Sequence, residues 1–227
     1  MSEIRNPFLT SGYECPEYFC DRESETRELV EAMENDRNVT LMAPRRFGKS
    51  GLIENAFFRL RQEHAYQTVI VDVFPAQTLP EFTRLFAQAV FRGLETTAEK
   101  ALTAAATFLK SCRPTLTINP RTLTHKFSFD IAPAQAESTL EEVFDYLRSC
   151  KKRVAIALDE FQQIAEFPEK GVEALLRSLV QKVPGVGFVF CGSRQHLMRE
   201  MFASAKRPFY QSTQKMHLDV IGRDVYR

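Results

Sequence analysis

The sequence contains no tryptophan in 227 residues and carries no bias of charge: 30 Lys+Arg stand against 29 Asp+Glu, a net charge of +1. A chain so balanced is not built over its whole surface to hold nucleic acid or anionic lipid, although a local basic groove stays open. No apolar run approaches the roughly eighteen residues that a membrane-spanning helix needs. The N-terminus, Met1 to Pro7, lacks the apolar stretch of a secretory signal. The five cysteines form no C-x-x-C pair, and Cys15 and Cys20, with few histidines near them, make a poor metal site. Reduced thiols in a cytoplasmic protein are the expectation. Repeats and low-complexity stretches are also missing. What is present is ordinary for a globule, 44% apolar and 26% charged residues. A chain of this length buries a sizeable core, and the 19 phenylalanines are its natural filling.

Hydrophobic spacing predicts helices alternating with short buried strands. An acidic helix is expected over 21–36, with Leu29, Val30 and Met33 on one face, then a strand over 38–42. Leu52, Ile53, Ala56, Phe57 and Leu60 recur at helical spacing. A second strand is expected over 68–74, a helix opening near Pro80, and an Ala-rich helix over 97–110. The period then becomes two, which predicts an inserted β-hairpin around 115–131. Ser138-Thr139-Leu140-Glu141 reads as a capping box that opens a helix. Further strands are expected over 154–158, 187–191 and 216–221, with helices around Val172–Val180 and Leu197–Phe202. Such alternation implies an α/β fold with a mostly parallel sheet covered on both faces. Ligands bind such sheets beyond the carboxyl ends of the strands. Lys49, Asp159 and Ser193 each follow a strand end and so point to one edge.

Three segments there carry chemistry. Ala43 to Ser50 (Ala-Pro-Arg-Arg-Phe-Gly-Lys-Ser) fits a phosphate-binding loop between strand and helix. Gly48 lets the backbone turn its N–H groups inward, Lys49 offers a point charge to the β and γ phosphates, and Ser50 offers a hydroxyl to magnesium. The helix that follows aims its N-terminal dipole at the same anion. Ala43 replaces the usual first glycine, at a position that asks mainly for smallness. Val154 to Glu160 is an apolar run ending in two acids. Asp159 suits a hard cation, and Glu160 suits polarising an attacking water. In Gly192-Ser193-Arg194, Ser193 is placed to bond a γ-phosphate or its water. Arg194 is either a cation for developing charge or a solvated residue at a helix start. Arg207 is a second candidate cation.

Asn6-Pro7-Phe8, Tyr18-Phe19-Cys20-Asp21-Arg22-Glu23, the phosphate loop, Leu158-Asp159-Glu160-Phe161-Gln162 and Gly192-Ser193-Arg194 occur in that order. Together they resemble the archaeal-type ATPases of the AAA-related and STAND branch of P-loop NTPases. The Phe-x-Asp-Arg-Glu stretch and Asp-Glu-Phe-Gln narrow the likeness. The resemblance implies a three-layer αβα sandwich on a five-stranded sheet of order 5-1-4-3-2. It implies ATP as ligand, Mg2+ as cofactor and a catalytic glutamate on the third strand. The catalytic set would be Glu160, Lys49, Ser193 and Arg194. The nucleotide would be held by Arg46, Phe47, Gly48, Lys49, Ser50 and Gly51, and the metal by Ser50 and Asp159. Residues 1–20 would form an arm near the base, placing Tyr18, Phe19 and Arg22 on the adenine side; a core role for Phe19 is an equal alternative. Residues 21–227 would form the ATPase domain. Relatives usually continue into a helical lid and a winged-helix domain, whereas this chain stops at Arg227.

The expected activity is ATP hydrolysis coupled to a conformational change. The runner-up is a slow nucleotide-dependent switch that acts with a protein partner or as a homo-oligomer. A DNA-associated motor, resting on Arg45, Arg46, Lys151, Lys152 and Arg153, is the minor reading, so nucleic acid is not the expected partner. No Asn-Lys-x-Asp segment is present to read guanine. A small-molecule kinase fits Asp159-Glu160 less well than water activation does. The 115–131 insertion either binds a partner or completes the core.

Overall fold

The computed structural model describes residue 19, residues 22–118 and residues 125–219. The N-terminal arm, Tyr18 included, otherwise lies outside the described residues. Helix α1 (Glu23–Glu34) leads into strand β1 (Val39–Met42), helix α2 (Lys49–Glu63) and strand β2 (Gln67–Asp72). Helices α3 (Leu79–Leu94) and α4 (Ala98–Phe108) precede a hairpin of β3 (Arg113–Ile118) and β4 (His125–Asp130). The remaining elements are α5 (Ala136–Ser149), β5 (Val154–Asp159), α6 (Val172–Gln181), β6 (Val186–Gly192), α7 (Gln195–Ala203) and β7 (Gln214–His217).

The main sheet runs β2-β5-β6-β1-β7, and all four pairings are parallel. Leaving out the antiparallel hairpin and counting the core strands along the chain, that order reads 5-1-4-3-2 from the β7 edge. The alternation of strand residues sorts the core into two layers. On one side Ala155, Ala157, Val189, Cys191 and Leu41 meet α1 and α2. On the other, Ile156, Leu158, Phe188 and Phe190 meet the α3, α5, α6 and α7 layer. The phenylalanines are concentrated on this second side. Phe190 has the rings of Phe161, Phe209 and Phe202 at 4.7, 5.2 and 5.3 Å, and Phe86 stacks on Phe144 at 5.3 Å. Each buried ring contributes about 1.5–3 kcal/mol through removal from water.

Helix α3 has a local start signal that works as its sequence suggests. Thr78 Oγ1 accepts from Glu81 N, Glu81 Oε2 accepts from Gln77 N, and a proline follows at the first turn. Its Gly93 packs on β2 so closely that a Cβ there would lie 2.8 Å from Val69 Cγ2. The capping box at Ser138 is not formed. Helix α5 already begins at Ala136, continuing a 3-10 turn over Pro133–Gln135. Ser138 therefore lies inside the first turn and donates back to Gln135 O at 3.0 Å. The second strand ends earlier than its apolar run, because Asp72 Oδ1 accepts from Phe74 N and turns the chain. The hairpin lies where the change of period puts it, with residues 119–124 outside the described set. The fifth core strand begins at Gln214, two residues before its predicted start. Among the described residues no helix is long and apolar enough to cross a membrane.

Candidate functional site

The parallel register brings the tips of β1, β5 and β6 to one edge, with Met42 opposite Gly192 and Leu158 opposite Phe190. From β1 the chain enters the loop through Ala43, which is fully buried. Arg46 and Gly48 are both left-handed, at φ 66° and 80°. Two left-handed residues so close together turn the backbone sharply just before α2. Gly48 is the N-cap of α2, whose first turn contains Lys49, Ser50 and Gly51 with their N–H groups unused by the helix. Lys49 is 7% exposed, and its Nζ donates to Ala43 O and Pro44 O, both at 3.0 Å. Two of its three protons hold the loop's shape, and the third has no acceptor among the described residues.

Across the edge, Ser50 Oγ donates to Asp159 Oδ2 at 3.1 Å. Residues 109 positions apart thus set a hydroxyl and a carboxylate, both hard oxygen donors, side by side. Asp159 Oδ1 is steadied by Glu160 N at 2.9 Å and by the buried thiol of Cys191 at 3.4 Å. Burial pushes the Cys191 thiol well up, so it remains a donor. Glu160 takes the left-handed conformation, φ 53°, unusual for a residue with a side chain. Its Oε2 accepts from Gln162 Nε2 at 2.5 Å and from Ser193 Oγ at 2.8 Å and N at 3.4 Å. Burial acts to raise its pKa, but those bonds and the Lys49 charge outweigh it and hold the carboxyl below its usual range. Phe161 anchors the turn that follows, fully buried against Phe190, Phe202 and Phe209.

Lys49, Gly48, Ser50, Asp159, Glu160 and Ser193 therefore meet at one edge. Phe47 is half-buried at the rim of the α1/α2 layer, and Arg46 is exposed on the loop. Gly51 faces the ring of Phe19, where a Cβ would be 3.1 Å from Phe19 Cε2. The aromatic ring thus covers the start of α2. Arg22 is 5% exposed and donates to Glu25, to Asp219 O at 2.7 Å and to Phe47 O at 3.4 Å. Its guanidinium ties chain segments together. Arg194 pairs with Glu166, and Arg207 pairs with Glu173 and Glu200. Three participants carried no expectation of a role. Cys191, on an apolar strand, and Glu166, on the turn after β5, belong to no motif, and Gln162 stands in the Asp-Glu-Phe-Gln stretch without an assigned chemistry. Only the last had a usable signal, its fixed spacing from Glu160.

The sequence pattern of an ATPase domain found predominantly in Archaea matches residues 19–221. The chain belongs to that ATPase family. No curated protein sequence matches it. Among solved structures, a Walker-type ATPase of Pyrococcus abyssi has TM-score 0.63 at 18% identity over 97% of this chain and 59% of its own. The Aeropyrum pernix ORC2 protein, solved as ADPNP-ADP complexes, has 0.60 at 19% identity over 95% of this chain and 51% of its own. The Aeropyrum pernix ORC1 protein in complex with DNA has 0.60 at 16% identity over 93% and 50%. At such identities the likeness is one of fold. This family member spans 59% of the Pyrococcus chain and about half of the two Aeropyrum chains.

Proposed function

We propose that the chain binds ATP with Mg2+ and hydrolyses ATP to ADP and phosphate, with the cycle coupled to movement of the phosphate-loop edge. The observation that carries this reading is the meeting of Ser50 Oγ and Asp159 Oδ2 at 3.1 Å, with Glu160 next in the chain. Membership of an ATPase family and a nucleotide-bound structural neighbour support it. Lys49 and the N–H groups of the α2 first turn would hold the phosphates. Ser50 and Asp159 would hold the metal, which when bound neutralises charge on the phosphate oxygens. Glu160, kept ionised, would accept a proton from the attacking water. Ser193 would orient that carboxylate. On the base side, Phe19 and Tyr18 of the N-terminal arm would offer aromatic faces to adenine.

A slow switch is the second reading, favoured by the pairing of both candidate arginines. Arg194 and Arg207 are each engaged by carboxylates, so a cation for the developing charge would have to be released or come from a partner. DNA enters as a third candidate partner through the DNA-bound ORC1 neighbour, together with exposed Lys151 and Lys152.

Single-turnover phosphate release and equilibrium ATP binding, compared between wild type and Glu160→Gln, test the proposal. The expected result is retained binding and a rate lower by about 10²–10⁴-fold. Equal rates overturn hydrolysis through Glu160. Tight binding by wild type with no phosphate release selects the switch.

A further inference from the structure

We propose that Gln162 is a positioning residue for Glu160: its buried amide fastens one carboxylate oxygen so that the other is presented to water, and residue 192 is glycine to make room for it. The inference rests on the hydrolytic reading of Glu160.

Gln162 is 2% exposed and lies on the 3-10 turn that Phe161 nails into the phenylalanine layer. A fully buried amide in an apolar layer is costly unless its polar atoms are used. Here only one end is used. Nε2 donates to Glu160 Oε2 at 2.5 Å, while Oε1 is buried with no hydrogen-bond partner among the described residues. An orphaned acceptor of this kind costs about 1–3 kcal/mol. A leucine or methionine would fill the same volume without that cost, so filling space does not account for a glutamine. What the amide does is hold Glu160.

The opposite wall fits the amide closely. A Cβ on Gly192 would fall 2.1 Å from Gln162 Oε1 and 2.8 Å from Met198 Cγ. Glycine at the end of β6 therefore admits the amide, and the next residue supplies the other clamps on the same oxygen, Ser193 Oγ and N. All three hydrogen bonds converge on Oε2, and Oε1 of Glu160 takes none among the described residues. With the backbone of Glu160 in its left-handed turn, the arrangement fixes the carboxylate as a one-handed base. Misplacing a catalytic group by about 1 Å can cost on the order of a hundredfold in rate.

The test is Gln162→Met, similar in volume and without a donor, measured by single-turnover phosphate release and by binding of a non-hydrolysable ATP analogue. The expected result is a rate lower by roughly ten- to hundredfold, with analogue affinity within about twofold of wild type. The decisive readout is a cycle with Glu160→Gln. If Gln162 acts through Glu160, adding Gln162→Met to Glu160→Gln lowers the residual rate no further. A packing role would lower it again. An unchanged or faster rate for Gln162→Met, or an equal loss in both backgrounds, overturns the proposal. If Gln162→Met does not fold, Gly192→Ala displaces the amide from the other side. A rate-selective loss there, with binding kept, supports the proposal, and an unchanged rate overturns it. If Glu160→Gln alone leaves the rate unaltered, the hydrolytic reading fails on a control that does not involve residue 162, and the positioning role falls with it.

Discussion

Glu25 shows how an individual side chain near the site contributes. Burial acts to raise its carboxyl pKa, but hydrogen bonds from Arg22 and Ser24 outweigh this and hold it below its ordinary value of 4.5. The folded state therefore favours the ionised form. The resulting stability is present above that value and disappears as the pH falls through and below it. Glu25→Gln is expected to lower stability by about 1–2 kcal/mol near neutrality, and the difference should shrink as the medium is acidified below the ordinary carboxyl value. Thermal melts of both proteins across that range check the sign. At this scale the placement of a side chain is legible wherever a residue type has few uses. Lys49, Ser50, Asp159 and Glu160 stand at spacings that admit little else, and they do converge. Arg22, Arg194 and Arg207 take partners that their own stretch of sequence does not name, because an arginine at a loop serves a carboxylate or a carbonyl as readily as a phosphate. Their partners lie up to 197 positions away.

Among the elements, buried strands and amphipathic helices followed from periodicity because burial on a twisted sheet imposes it. Boundaries followed less well. At Ser138 a cap-like tetrapeptide sits inside a helix, since the preceding 3-10 turn at Pro133 had already started the coil. Strand β2 stops at Asp72 because a side-chain oxygen takes over the next N–H. Neither event has a hydrophobic signature. Helix α3 gives the sharper mechanical expectation. Gly93→Ala would set a methyl 2.8 Å from Val69 Cγ2 and 3.5 Å from Thr68 O, lifting the helix from the edge strand. Better helix propensity for alanine would offset part of the strain. A net loss of about 1–3 kcal/mol is expected, read by denaturant unfolding. An unchanged midpoint would mean that Val69 simply rotates away.

For the molecule as a whole, Arg22 is the joint that periodicity could not foresee. It links the entry to α1, the phosphate loop at Phe47 and the chain beyond β7 at Asp219, all from one side chain. Arg22→Ala should cost about 1.5–3 kcal/mol and also weaken ATP binding, since the Phe47 carbonyl loses its tether. Melting and nucleotide titration on the same preparation separate the two effects. Stability lost with affinity intact would confine Arg22 to the chain's closure. The strand order, by contrast, followed from the likeness to a known family, because a crossover topology leaves no mark in local spacing.

A sheet lined with phenylalanine, in a chain without tryptophan, leaves tyrosine as the dominant near-ultraviolet chromophore. The protein's emission comes from six tyrosines, of which Tyr66 and Tyr146 are buried with their hydroxyls on Met33 O and Glu95. With no indole of its own, the chain would let a single Phe47→Trp replacement, at a half-buried ring on the rim of the α1/α2 layer, be excited apart from the tyrosines and report on that loop alone.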